Sequence, residues 1–134
     1  MTEKPDGPFR APLAPAVLAA VFFAGCAGAL LRGVATPLFS LGAPWVGTLV
    51  VNTVACLLIG VLFARRAVLP PSVFLAATAG FCGGLSTFSR LAADIAEGWR
   101  GGGGLAALAP GLASIALGLL AVALGLAAGR RGGG

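Results

Sequence analysis

The sequence predicts an all-α membrane protein with four transmembrane helices, the third of them broken in mid-span. Three observations predict it. Of 134 residues, 58% are hydrophobic and only 10% charged, too little polar surface to cover a water-soluble globule. Apolar stretches fall at roughly 14–31, 45–64, 72–97 and 105–128, each long enough for a hydrocarbon layer about 30 Å thick. What remains is short connectors and the glycine run Gly101–Gly104, with no room for a soluble catalytic domain, so no enzyme is expected. The expected organisation is a polar N-terminal tail at 1–12, a single four-helix domain at 13–129 and a C-terminal tail at 130–134.

Lys4 and Arg10 precede a first apolar run containing Phe23-Ala24-Gly25-Cys26, which superficially resembles a lipoprotein signal. The bulky Phe23 and the three spans that follow argue for a retained helix instead. That helix is expected to end near Arg32, and Gly33 to Pro44, with Pro37, Gly42 and Pro44 as breakers, to form a loop. The second helix should start at the interfacial Trp45 and end at Arg65-Arg66, whose side chains can snorkel into the headgroups. Pro70-Pro71 forbid helix just before the third span, and Ser72 is the expected cap of its start.

The third segment reads Gly80-Phe81-Cys82-Gly83-Gly84-Leu85-Ser86-Thr87-Phe88-Ser89-Arg90. A glycine pair followed by hydroxyl residues is poor material for an unbroken helix. Backbone groups freed at membrane depth need protein, water or an ion as partners; the alternative is that the glycines serve only close helix packing. Trp99 and Arg100 close this element, and a fourth helix runs from about Leu105 with Pro110 in its first turns. Gly111, Gly118 and Gly125 recur every seven residues, on nearly one face, for contact with a neighbouring helix.

The net charge is +5, with basic residues placed singly or in pairs at span ends, as topology signals and not as a nucleic-acid patch. Lys4, Arg10, Arg65, Arg66, Arg130 and Arg131 fall on one side and Arg32 and Arg100 on the other, so both termini are expected in the cytoplasm. Histidine is absent, which excludes histidine-based catalysis or ligation. Cys26, Cys56 and Cys82 lie inside apolar segments at no metal-like spacing and read as small packing residues.

Polar side chains within the spans need a reason. Asn52 sits mid-span with Thr48 one turn earlier on the same face. An interhelical hydrogen bond would satisfy it; so would an anion in a narrow pore, with Thr48 and Ser114 as further donors. Arg32 and Asp94 each suit either a structural ion pair or the lining of a water-filled vestibule, and an arginine at a pore mouth attracts anions.

Three ordered motifs, from about Gly25 to Gly129, carry a family resemblance. Gly25-Cys26-Ala27-Gly28-Ala29-Leu30-Leu31-Arg32, Gly47-Thr48-Leu49-Val50-Val51-Asn52 and the segment from Gly80 to Ser89 resemble the first-helix ending, the second helix and the third-helix break of the Fluc (CrcB) family of fluoride channels. The resemblance implies a passive channel exporting fluoride across the cytoplasmic membrane, built as an antiparallel, dual-topology-type dimer. It implies Asn52 and Phe88 in the pore, Thr48 and Ser114 along a hydroxyl track, Arg32 near a mouth, and a structural sodium ion (Na+) held by the carbonyls of Gly83 and Ser86 from both subunits. Carbonyl oxygens are hard ligands that suit a hard cation, and ring edges carry partial positive charge that suits an anion.

The sequence departs from that pattern in places. The second ring position is Leu91, the residue before it is Arg90, Asp94 stands for a glutamate, and Pro110 occupies the place expected for a second hydroxyl besides Ser114. The six-to-two charge bias favours one-way insertion and therefore a paralogous partner of opposite orientation over a homodimer. Two rival readings stand beside the channel: a non-conducting or partner-dependent assembly subunit, and a small multidrug-type transporter. The latter needs a carboxylate in the first helix, and none lies between Leu13 and Leu31.

Overall fold

A computed structural model describes residues 14–131, and the N-terminal tail with Lys4 and Arg10 lies outside them. The described chain is helical throughout, joined by turns. Helix α1 spans Pro15–Leu38, α2 Pro44–Ala64 and α3 Pro71–Leu75, and a π-type stretch at Ala76–Cys82 leads directly into the short α4, Gly83–Leu85. After two non-helical residues come α5, Phe88–Gly98, a glycine-rich turn, a 3-10 stretch at Gly104–Leu108, and α6, Ala109–Arg131. Three stretches are long and apolar enough to cross a bilayer: Pro15–Leu38, Trp45–Ala64 and a 61-residue stretch, Pro71–Arg131.

Helix α1 runs past Arg32 and past Pro37, so the expected loop at Gly33–Pro44 contracts to Phe39–Ala43. Proline's fixed φ is itself helical, and in the last turn its ring breaks little. The freed carbonyls are capped: Phe39 N–H donates to Ala35 O at 3.1 Å, and Ser40 Oγ donates to Thr36 O at 2.8 Å. The reversal follows at Leu41 and Gly42, with φ of 43° and 83°. Ser72 does not cap α3. Pro71 opens that helix behind Pro70 and no side chain bonds its first turn, because proline at the first helical position already lacks a donor to satisfy. Helix α6 continues through Arg131, into the stretch assigned to the C-terminal tail.

Glycines set how closely the helices approach. A Cβ on Gly84 would lie 2.2 Å from Gly25 O, and one on Gly80 2.6 Å from Val21 O, so α1 and the α3–α4 run touch backbone to backbone. Both contacts advance along the two chains together, which makes these helices parallel. The same holds for α2 and α6: Gly118 meets Cys56, Gly125 meets Gly60, and Gly129 meets Ala64. The seven-residue glycine stripe is therefore buried against neighbours as its spacing predicts: Gly111 against Ile95 of α5, Gly118 and Gly125 against α2. Close approach of this kind replaces the hydrophobic drive that lipid does not supply. Val51, Ala55 and Leu85 form the small core, with Ala35 and Phe81 packed on it. Of the cysteines, Cys82 is buried and Cys56 packs on Gly118, while Cys26 is exposed.

Candidate functional site: the break between α4 and α5

The helical run that begins at Pro71 stops at Leu85. Ser86 (φ −79°, ψ 157°) and Thr87 (φ −150°, ψ 118°) are extended, and α5 restarts at Phe88. The glycine pair itself stays helical, with Gly83 at φ −64° and ψ −39°. Leaving the helix strands polar backbone groups, and each group on these two residues has a partner. Ser86 N–H donates to Cys82 O at 2.9 Å. Arg32 Nη1, from α1, donates to Ser86 O at 3.3 Å. Thr87 N–H donates to Asn52 Oδ1 at 2.8 Å, and Asn52 Nδ2 donates back to Thr87 O at 3.1 Å. One amide thus holds both sides of Thr87, as a neighbouring strand would, while one N–H of Nδ2 is left over for another acceptor.

One turn before Asn52, Thr48 is fully buried and its hydroxyl donates to Asp94 Oδ2 at 3.1 Å. The other carboxylate oxygen takes Arg90 Nη2 at 2.9 Å; the Asp94 side chain is 3% exposed and Arg90 44%. Asn52 and Thr48 together fasten α5 to α2. The single hydroxyl proton of Thr48 is already committed to Asp94, so in this arrangement Thr48 has none to give an anion. Thr87 Oγ1 caps α5, accepting from Arg90 N–H at 3.3 Å.

An open cavity of about 610 Å³ lies in front of the break, lined by Arg32, Thr36, Ser40, Thr87, Ser89 and Arg90. Two guanidiniums, Arg32 and the Asp94-paired Arg90, and four hydroxyls line it, so its walls favour an anion. Phe88 projects away from the protein and is 82% exposed, whereas Leu91 is buried at 7%. Ser114 is half-buried and makes no hydrogen bond among the described residues. The parallel register of α6 on α2 puts it at about the level of Asn52, one turn before the Gly118–Cys56 contact. The structure thus joins Arg32, Ser86, Thr87 and Asn52 in one cluster and Thr48 with Asp94 in the next turn; Phe88 and Ser114 stand apart from both.

Sequence reasoning left Asp94 open and gave no role to Thr36, Ser40 or Ser89. The i, i+4 spacing of Arg90 and Asp94 was an available signal for their pairing. Removing the acceptor tests it. Asp94→Ala leaves Thr48 and Arg90 without their partner and is expected to lower stability by about 1–3 kcal/mol. Asp94→Asn, which keeps an acceptor for Thr48, is expected to cost less; equal thermal midpoints in detergent for wild type and Asp94→Ala would refute the pairing.

Helices packed through glycine, long apolar stretches and an open basic cavity at a helix break define a multi-pass membrane protein. A profile described as "CrcB-like protein, Camphor Resistance (CrcB)" matches residues 19–126, and the chain belongs to that family. It is 41% identical over 85 residues to a protein of Pseudomonas putida named "Fluoride-specific ion channel FluC", covering 59% of this chain and 68% of that one. A protein of the same name in Pseudomonas syringae pv. tomato is 43% identical over 81 residues, 56% of this chain and 65% of that one. "Fluoride-specific ion channel FluC 2" of Geobacillus kaustophilus is 38% identical over 87 residues, 60% and 67% respectively. These relatives are named as channels, and the chain is not an enzyme.

Proposed function

We propose that this chain is a subunit of a fluoride-selective passive channel in the cytoplasmic membrane, releasing fluoride from the cell. One juxtaposition carries the reading: the Arg32 guanidinium and the Asn52 amide converge on adjacent residues, Ser86 and Thr87, and Arg32 and Thr87 line a basic cavity. Fluoride is small and strongly hydrated, so a selective path must replace its water with close donors. Arg32 and Arg90 concentrate the anion, and the spare N–H of Asn52 is the first donor inward. Phe88, at the start of α5, offers a ring edge to a pathway that a second subunit closes. Ser114 extends the donor track along α6. Thr48 takes part only if its hydroxyl turns away from Asp94, so its nearer role is to hold α5 in place.

Four crossings are the natural count. The stretch Pro71–Arg131 reverses at the glycine turn, and its two halves run parallel to α1 and α2. In that arrangement the third crossing is interrupted at Ser86–Thr87, and the charge bias puts both termini in the cytoplasm. A 3.3 Å contact from a guanidinium already occupies one face of the Ser86 carbonyl. The Gly83 carbonyl is freer, since Thr87 N–H, its ordinary helical partner, is turned to Asn52. A structural sodium would therefore be held by Gly83 and by the second lone pair of Ser86, duplicated across an antiparallel dimer, and its chemistry there is charge compensation of converging carbonyls.

Buried Leu91, where a second ring is expected in the pore, favours one further reading: a subunit that conducts only with a related chain of opposite orientation. Vesicles loaded with fluoride separate these readings. Wild-type protein, with a natural mate if one exists, is expected to release fluoride and retain chloride, and Phe88→Ile is expected to slow release at least about tenfold, the loss of roughly one ring-edge contact. Retention of fluoride as tight as in empty vesicles removes the channel reading. Release by the chain alone removes the obligate mate.

A further inference from the structure

The ends of α2 and α6 present a second basic site that the channel reading does not use. The two helices run parallel and close on each other at their C-termini, where a Cβ on Gly129 would lie 2.6 Å from the Ala64 Cβ. Arg65 and Arg130 follow that contact directly and line a cavity of about 250 Å³ together with Ala64, Ala67, Val68 and Gly129. Arg66 and Arg131 flank it, both exposed. The carboxylates among the described residues, Asp94 and Glu97, lie on α5 near the opposite end of α2, where Asp94 meets Thr48. No described acid neutralises this cluster.

We infer that this cavity binds the phosphate of an anionic membrane phospholipid, with Arg65 and Arg130 as its two ligands. Its position fits. Helix α2 has 21 residues, and at about 1.5 Å each it spans about 31 Å, one hydrocarbon thickness, which sets Arg65 at the headgroup level. Its lining fits as well: two guanidiniums, whose forks match phosphate oxygens, stand over a wall of small apolar side chains that suits the glycerol and first acyl carbons. Free phosphate has no use for the apolar wall. The site lies at the face that carries the basic excess, so an anionic leaflet would bind it and hold the chain in one orientation.

The test uses the purified full chain in detergent, titrated with phosphatidylglycerol or phosphatidylcholine and read by native mass spectrometry. Wild type is expected to retain phosphatidylglycerol about thirtyfold more than phosphatidylcholine, as two arginines near a phosphate imply. The double substitution Arg65→Ala with Arg130→Ala should bring the two lipids to parity, while Arg100→Ala should leave the preference intact. Parity in wild type overturns the inference, and so does an equal loss in Arg100→Ala. Displacement of the lipid by millimolar inorganic phosphate also overturns it, since that marks a plain anion site. Should the double variant not fold, the wild-type thermal midpoint decides: a rise with phosphatidylglycerol and not with phosphatidylcholine supports the site, and its absence refutes it.

Discussion

Asn52→Asp is expected to abolish fluoride release while leaving the fold in place. Aspartate has nearly the shape of asparagine and still accepts from Thr87 N–H, so half of the clasp survives. What changes is the other half. The carboxylate cannot donate to Thr87 O, 3.1 Å away in the wild type, and it puts a negative charge where the anion is meant to find a donor. At an effective dielectric near 20, two like charges about 4 Å apart repel by about 4 kcal/mol, which slows passage roughly a thousandfold. In vesicles, release should be indistinguishable from leak, with the helical circular dichroism of the wild type. Unimpaired release would take Asn52 out of the pathway and leave it only as a fastener of α5.

A large loss of stability is expected from Gly84→Ala. Its added Cβ would meet Gly25 O at 2.2 Å and Ala29 N at 3.1 Å, both backbone atoms that no rotamer change can move aside. Helix α1 would have to separate from α4, drawing Arg32 off Ser86 as it goes. Overpacking of this kind costs about 3 kcal/mol, enough to shift the detergent melting midpoint by many degrees. The same substitution at Gly33, where a Cβ meets nothing within 4 Å, should be neutral or slightly stabilising. If both variants melt alike, the backbone contact between α1 and α4 does not hold the bundle together.

These two residues also mark how far the sequence could be read. Apolar length, the interfacial Trp45 and the Arg65-Arg66 pair located α2 almost to the residue, because both ends of that helix are fixed by local chemistry. Glycine spacing revealed the buried face of α6 for the same reason. The backbone interruption was expected in the run of the glycine pair and the hydroxyl residues after it, and the non-helical residues, Ser86 and Thr87, fall in that run. What the sequence did not separate is the role of Gly84, which is helical and serves close approach. Flexibility and closeness call for the same residue, and one sequence cannot separate them. Thr48 was grouped with the anion donors because it shares a face with Asn52; its actual partner, Asp94, is 46 positions away. Arg32, placed at a mouth, reaches Ser86 across 54 positions. Contacts of that range depend on how whole helices dock, and periodicity carries no such information. The extension of α1 beyond Pro37 was hidden by the opposite error, in which a local breaker was given more weight than a last turn warrants.

The glycine seams have a consequence for how this protein can vary. An ordinary globular interior is a jigsaw of large side chains, and a change in one is often absorbed by a change in its neighbour. Here the seams are made of main chain, and main chain has no alternative shapes to offer. A saturation library scored by survival on fluoride should therefore show an inverted profile: the bulky leucines and valines of the outer faces interchangeable, and the smallest residues of the chain, Gly28, Gly60, Gly84 and Gly125, almost immutable.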